Sequence, residues 1–141
     1  MGAAGAGWAD DVGVVTLPSG LRVRGRALGC PASTADFTLV LTDRAAVPPW
    51  TYRRIRWPDF FVPLDRRDAL DALHEAYGRA TRGERVEAAC HGGRGRTGTA
   101  LAALAVLDGL SPAAAFAWVR AEYDPRAVEV PWQRWWLHQV R

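Results

Sequence analysis

Short apolar stretches and longer amphipathic stretches interleave along this chain. Residues 14–17 and 21–28 flank the turn-forming triplet Pro18-Ser19-Gly20, which predicts a β-hairpin. Three further short stretches are apolar or alternate in polarity and are predicted to be strands: residues 36–42, 52–57 and 85–89. Residues 45–51 contain two prolines and are predicted to form a loop.

Helical signals dominate the second half of the chain. Residues 65–79 carry apolar side chains at helical spacing, and residues 97–107 are apolar on nearly every side, as in a central buried helix. Ser111 and Pro112 suit the first positions of a helix that continues to residue 122, and Pro131 starts a last helix that continues to residue 140. Interleaved strands and helices predict an α/β fold, with a flexible tail at residues 1–12 and one domain over residues 13–141.

Composition narrows the functional classes. All 18 basic residues of the 141 are arginine, and the net charge of +3 favours anionic substrates without indicating a nucleic-acid partner. Two cysteines do not make a disulfide framework, and an unpaired thiol suits a reducing compartment. The N-terminus lacks the features of a signal peptide, and the longest apolar run, residues 100–107, is too short to span a membrane. A cytoplasmic location is therefore expected.

The segment from Cys90 to Arg96 carries most of the chemical information. It reads Cys-His-Gly-Gly-Arg-Gly-Arg and leads directly into the apolar helix predicted from Thr97. Glycines let consecutive backbone N–H groups turn toward an anion, and a helix N-terminus favours negative charge. A cysteine in that field is expected to be held as thiolate, and the planar arginine fork suits two phosphate oxygens. Together these features indicate nucleophilic attack on a phosphate ester.

This segment resembles the phosphate-binding loop of the cysteine-dependent protein tyrosine phosphatases, in which Cys-x5-Arg-Thr follows a short strand. Trp57-Pro58-Asp59 and the following Phe-Phe-Val-Pro resemble the mobile acid loop of the same family. The resemblance runs from about Trp57 to the C-terminus. It implies a mostly parallel central sheet flanked by helices, with the phosphate-binding loop between the central strand and a buried helix, and it implies no cofactor and no metal.

The resemblance also implies a role for each matching residue. Cys90 would be the nucleophile, Arg96 would bind phosphate, Thr97 would stabilise the sulfur, and Asp59 would be the general acid. Gln133, in a looser match to the family's glutamine loop that also places Glu129 four residues earlier, would help to position the hydrolytic water. The phosphate-binding loop would comprise His91, Gly92, Gly93, Arg94, Gly95 and Arg96.

Each of these residues also has a structural interpretation. Cys90 could be a buried core cysteine, Thr97 a helix cap and Gln133 a surface helix residue. Asp65 is a nearby rival to Asp59, although it is better placed to open the following helix. Closure of the loop that carries Trp57 is expected to desolvate Asp59.

Ala89 departs from the family pattern, whereas His91 and Arg94 match one branch of the family. Ala89 stands where most members have a histidine, so the thiolate must rely more on loop amides and on Thr97. His91 and Arg94 are basic, as in the phosphoinositide-type branch, although both could instead face solvent or form salt bridges. Cys30 could form a protective disulfide with oxidised Cys90, or remain a free thiol.

The sequence therefore predicts a phosphatase that acts through a phosphocysteine on a phosphorylated protein or a small phosphate ester. Phosphotyrosine is the expected substrate, with phosphoserine and phosphothreonine as further candidates. An inositol phosphate or phosphoinositide phosphatase is the alternative, and an inactive phosphate-binding module is the second. Sulfurtransferases and arsenate reductases share a cysteine-headed anion loop but need no Trp-Pro-Asp. Trp8, Trp50 and Tyr52 are the candidates for an aromatic gate to a phosphotyrosine pocket.

Overall fold

Five strands form one mixed sheet. The computed structural model describes residues 7–43 and 47–140, and its strands are β1 (Val14–Thr16), β2 (Arg22–Ala27), β3 (Phe37–Val40), β4 (Tyr52–Arg54) and β5 (Val86–Cys90). Their order in the sheet is β1-β2-β5-β3-β4. Only the β1–β2 hairpin pair is antiparallel among these strands, and the other three pairs are parallel. The predicted mostly parallel α/β sheet with β5 at its centre is confirmed.

Four α-helices flank this sheet: α1 (Arg66–Thr81), α2 (Gly95–Leu107), α3 (Pro112–Glu122) and α4 (Pro131–Trp136), the last continuing into a 3₁₀ turn at Leu137–Gln139. The predicted caps are present, since Asp65 accepts a hydrogen bond from the Asp68 N–H at the start of α1 and Ser111 accepts one from the Ala114 N–H at the start of α3. These bonds satisfy N–H groups that a helix leaves unpaired in its first turn.

Several element boundaries differ from the sequence-based prediction. The strands predicted over residues 36–42 and 52–57 end at residues 40 and 54, and the last helix loses α-helical geometry after Trp136. α2 begins at Gly95, two residues earlier than predicted, because the Gly98 N–H already bonds to the Arg94 carbonyl. The end of the phosphate-binding loop is therefore the first turn of the buried helix.

The helix α2 is the centre of the hydrophobic core. Every residue from Gly95 to Ala105 is buried, and the helix contacts β5, α1 and α3. A Cβ atom added at Gly98 would lie 2.4 Å from the Cβ of Ala127. Glycine at this position lets the segment before α4 pass close to the helix, which brings that segment to the phosphate-binding loop.

A buried charged cluster crosses the sheet from β2 to β3. Glu87 of β5 is fully buried and accepts hydrogen bonds from Arg24, Arg26 and the Thr38 hydroxyl. The Trp50 indole donates to the same hydroxyl at 2.7 Å. Three donors around one carboxylate offset much of the cost of burying its charge.

Trp8 belongs to the segment predicted to be a tail, yet it is packed against the sheet. Its indole donates to the Val86 carbonyl at 2.8 Å, and the Arg24 guanidinium lies 4.0 Å from the centre of its ring. Residues 1–6 of the predicted tail, and residues 45 and 46 of the predicted loop, lie outside the described residues.

Candidate active site

The nucleophile candidate lies at the carboxyl end of the central strand. Cys90 is the last residue of β5, where it pairs with Ala27 of β2, and its carbonyl accepts a hydrogen bond from the Leu28 N–H. The chain then turns at Gly93, whose φ is +70°. A Cβ there would lie 2.6 Å from the Ala27 nitrogen, so only glycine lets the loop lie this close to β2.

Two hydrogen bonds converge on the sulfur. Cys90 is buried, the Thr97 hydroxyl donates to its Sγ at 3.0 Å, and the Gly93 N–H donates at 3.2 Å. Both groups direct a polar hydrogen at the sulfur. The sulfur therefore lies in a polar pocket at the N-terminus of α2, rather than among apolar side chains alone.

Arg96 is buried, lines the same cavity as Cys90, and does not use all of its guanidinium donors in hydrogen bonds. One terminal nitrogen donates to the Trp57 carbonyl at 3.0 Å, whereas Nε is buried without a hydrogen-bond partner. A buried donor left unpaired costs about 1–3 kcal/mol, or more when it is charged. A bound oxyanion would supply the missing acceptor.

Asp59 faces this guanidinium, with its Oδ1 3.6 Å from the Arg96 Nε. The aspartate side chain is 58% exposed, so the desolvation predicted for the closed loop is not observed in this conformation. Trp57 itself is fully buried and packs against Trp136 in the core. The rival Asp65 caps α1, as described above.

Helix α4 holds the acid loop through two side chains. The Trp132 indole donates to the Phe60 carbonyl at 2.7 Å, and the Gln133 amide donates to the Phe61 carbonyl at 3.0 Å. Phe60 has a φ of +58°, which is strained for a residue other than glycine. The conformation next to Asp59 is therefore maintained by contacts from a distant segment.

Gln133 is fully buried and both ends of its amide are engaged. Its Oε1 accepts a hydrogen bond from the Glu129 N–H at 2.9 Å while its Nε2 bonds to the acid loop. Gln133 thus links the acid loop to the segment before α4, which sequence reasoning did not predict. It is not a surface helix residue.

The cavity at the sulfur has a volume of about 280 Å³. It brings together much of the predicted site and is lined by Asp59, Phe60, Cys90, Gly92, Arg94, Gly95, Arg96 and Glu129. Neither His91, which is exposed, nor Gln133 lines it. None of the proposed aromatic gates, Trp8, Trp50 and Tyr52, lines it either, whereas the exposed side chain of Phe60 does.

Glu129 lines this cavity, a position that the sequence did not predict for it. Its carboxylate lies so close to the start of α2 that a Cβ on Gly95 would come within 2.0 Å of its Oε1. Arg94, at the other side, has its Nε 3.6 Å from the Asp124 carboxylate. Two carboxylates, Asp59 and Glu129, therefore share the cavity with the thiol.

The two cysteines are free thiols, with Cys30 exposed and Cys90 buried. Within residues 7–43 and 47–140, no cluster of three or more histidine, cysteine or acidic side chains could hold a metal ion. None of the helices in the described part of the chain is long and apolar enough to cross a bilayer.

Solved structures share this architecture. Tk-PTP in its active form matches with 27% identity and a TM-score of 0.64 over 74% of this chain and 76% of that chain. A mutant form of Tk-PTP matches with 28% identity and a TM-score of 0.66 over 75% and 76%. The chain has the fold of a cysteine-based protein tyrosine phosphatase. The resemblance inferred from its two motifs is confirmed at the level of structure.

Kinase associated phosphatase, with its catalytic-site cysteine replaced by serine, matches this phosphatase fold with 19% identity and a TM-score of 0.63 over 74% of this chain and 67% of that chain. At that identity the match supports the fold alone. No protein-family model and no curated protein matches the chain.

Proposed function

We propose that this protein is a phosphatase that hydrolyses phosphate monoesters, with phosphotyrosine in a protein as the preferred substrate, through a phosphocysteine. The observation that carries the proposal is the buried Arg96 Nε, which makes no hydrogen bond, lies 3.6 Å from the Asp59 Oδ1, and belongs to a side chain that lines the same cavity as a sulfur accepting two hydrogen bonds. That arrangement suits a phosphate whose oxygens meet the guanidinium and whose phosphorus faces the thiolate.

In the first step the Cys90 thiolate attacks phosphorus, and the bond from phosphorus to the ester oxygen breaks. Asp59 gives its proton to that leaving oxygen. In the second step water attacks the phosphocysteine and loses a proton to the Asp59 carboxylate while the bond from sulfur to phosphorus breaks. The hydrogen bond from Thr97 stabilises the thiolate that is released.

Glu129 is the better placed group to orient the hydrolytic water. It lines the cavity with Cys90, whereas the Gln133 amide is engaged with two backbone groups outside it. We therefore propose that Gln133 acts indirectly, by holding the acid loop and the Glu129 segment together. Glu129 and Asp59 would each contact the water as it approaches phosphorus.

The exposed aromatic side chains of the acid loop and of α4 favour a protein substrate over an inositol phosphate. Exposed aromatic side chains occur in the acid loop and in α4, namely those of Phe60, Phe61, Trp132 and Trp135. Apolar rings can contact the aryl group and the apolar neighbours of a phosphotyrosine. They offer nothing to the additional phosphates of an inositol phosphate.

Arg94 is the observation that keeps an inositol phosphate substrate as the second candidate. It lines the cavity, and its buried Nε has no hydrogen-bond partner. However, the acidic side chains of Asp124 and Glu129 flank it, so a second phosphate would meet negative charge as well. His91 does not line the cavity.

The test is hydrolysis of para-nitrophenyl phosphate with a metal chelator present. We expect turnover by the wild type, none by Cys90→Ser, and a reduction of roughly 100-fold or more in Asp59→Asn. Asp65→Asn is the matched control, because this neighbouring carboxylate caps α1 and does not line the cavity. Activity that survives Cys90→Ser would contradict the proposal.

Substrate class is tested by comparing kcat/KM for phosphotyrosine peptides and for inositol polyphosphates at fixed ionic strength. We expect the peptides to be preferred. A preference for inositol polyphosphates that Arg94→Ala abolishes would favour the second candidate. Phosphate binding without turnover of any ester would instead indicate a binding module.

A further inference from the structure

Tyr123, at the end of α3, reaches the phosphate-binding loop from a part of the chain that no motif includes. Its hydroxyl donates a hydrogen bond to the Gly93 carbonyl, with 2.5 Å between the two oxygens. The ring lies directly over Gly25 of β2, where a Cβ would come within 2.5 Å of Cε1. A glycine in the middle of a strand therefore makes room for this one tyrosine.

The tyrosine approaches the loop from the side opposite the cavity at Cys90. It lines a separate cavity of about 740 Å³ together with Gly25 and Ala27. The cavity at Cys90 is lined by Arg94 but not by Tyr123 or Gly93. The Gly93 carbonyl thus points away from the site, toward the tyrosine.

A trans peptide group is planar, so its C=O and its N–H point in opposite directions. Because Tyr123 holds the Gly93 carbonyl on the far side, the N–H of the same peptide group, which belongs to Arg94, is directed toward the phosphate cavity. We infer that Tyr123 is a positioning residue that fixes this peptide group so that the Arg94 N–H serves as a donor to the bound phosphate.

This peptide group needs a restraint because it is flanked by flexible backbone. Gly93 has a positive φ, and Gly92 and Gly95 also lack side chains that would limit rotation. If the peptide group turned over, the Gly93 carbonyl oxygen would face the anion and repel it. Ala89, in place of the histidine of most resembling phosphatases, increases the reliance on backbone donors.

The Tyr123 hydroxyl is expected to stay protonated, as a lasting hydrogen bond to the Gly93 carbonyl requires. Burial, followed by the negative charges of Cys90 and Asp124, raises the pKa of the phenol well above its usual range. The hydroxyl therefore keeps its proton at neutral and moderately alkaline pH. The next residue, Asp124, pairs with the Arg94 side chain, so one short segment contacts both the backbone and the side chain of this loop position.

The inference rests on the proposed function and is tested without turnover, by calorimetric titration with inorganic phosphate. Tyr123→Phe keeps the ring but loses the hydroxyl, and we expect its dissociation constant to rise roughly 3- to 10-fold. Tyr77→Phe is the matched control, because the Tyr77 hydroxyl donates to Asp108 at 2.7 Å, away from the cavity. We expect its phosphate affinity to equal that of the wild type.

Thermal unfolding of both variants separates positioning from packing. Each loses one hydrogen bond, so similar decreases in Tm are expected while only Tyr123→Phe loses phosphate affinity. An unchanged phosphate affinity in Tyr123→Phe would overturn the inference, as would a wild type that binds no phosphate. A wild type that binds phosphate but hydrolyses no ester would overturn the proposed function alone.

Discussion

Replacement of Gln133 by methionine tests whether this side chain holds the acid loop or positions the water. Methionine has a similar volume but cannot form the two hydrogen bonds to the Phe61 carbonyl and the Glu129 N–H, which are 3.0 and 2.9 Å long. The Phe61 carbonyl keeps the hydrogen bond from the Trp57 indole, whereas the Glu129 N–H loses its partner.

The expected loss follows from that difference. One lost bond at a carbonyl that keeps a partner costs about 0.5–1.5 kcal/mol, and an orphaned, half-buried N–H costs about 1–3 kcal/mol, so the free energy of unfolding should fall by roughly 2 kcal/mol or more. For a chain of this size that corresponds to a Tm lower by about 6–8 °C. If about 1.4 kcal/mol of this loss falls on the position of the acid loop, the equilibrium constant for its productive conformation decreases tenfold.

Stopped-flow hydrolysis of para-nitrophenyl phosphate distinguishes the two roles. If Gln133 holds the acid loop, the first turnover slows roughly tenfold, because Asp59 protonates the leaving oxygen in that step. Gln139→Met is the matched control, since Gln139 bonds only to Arg66 at the surface among the contacts described. A Gln133→Met enzyme with an unchanged first turnover and a slower second step would contradict this and would indicate that Gln133 positions the water.

Three further predictions concern stability. Glu87→Gln leaves Arg24 and Arg26 without their counter-charge, so the free energy of unfolding measured by chemical denaturation should fall by about 3–5 kcal/mol. For the exposed Asp71→Asn it should fall by less than about 1 kcal/mol, and equal losses in the two variants would contradict the prediction. Hydrogen bonds from Arg85 lower the pKa of Asp36 in the folded protein. The ionised Asp36 therefore stabilises the fold at pH values above its pKa in the unfolded chain, and this stabilisation is lost as the pH falls through its pKa in the folded protein. Asp36→Asn should therefore be less stable than the wild type at pH 7, and the difference in their free energies of unfolding, measured by urea titration, should disappear below about pH 4. A difference that does not change with pH would contradict this prediction. Gly98→Ala should lower Tm, whereas Gly29→Ala, where an added Cβ meets nothing, should not, and similar Tm values for both would show that the helix can shift.

The parts of the candidate site that are formed by neighbouring residues could be predicted from the amino-acid sequence. The glycine pattern after Cys90 and the apolar run after Arg96 define a turn and a helix start, and these are local properties of the chain. The sequence also distinguished the role of Asp65 from that of Asp59, because Asp65 directly precedes a predicted helix and caps it in the structure. The fold followed from the interleaving of strands and helices together with the two motifs.

The residues that support the site could not be predicted, because their roles depend on tertiary contacts. Nothing in the sequence pairs Tyr123 with Gly25, or Trp132 with the Phe60 carbonyl. The burial of Trp8 was not predicted for the same reason: it follows a run of glycine and alanine that carries no strand or helix signal, yet it is covered by the folded chain. A glycine inside the β2 strand was the one available signal of a close approach.

Detection of the covalent intermediate would be direct evidence that hydrolysis proceeds through a phosphocysteine at Cys90. The enzyme would be mixed with excess para-nitrophenyl phosphate, quenched in acid within the first turnovers, digested and analysed by mass spectrometry. We expect one phosphoryl group on the peptide that contains Cys90, and none in Cys90→Ser. Continued turnover with no phosphoryl group on that peptide under any quench time would contradict it.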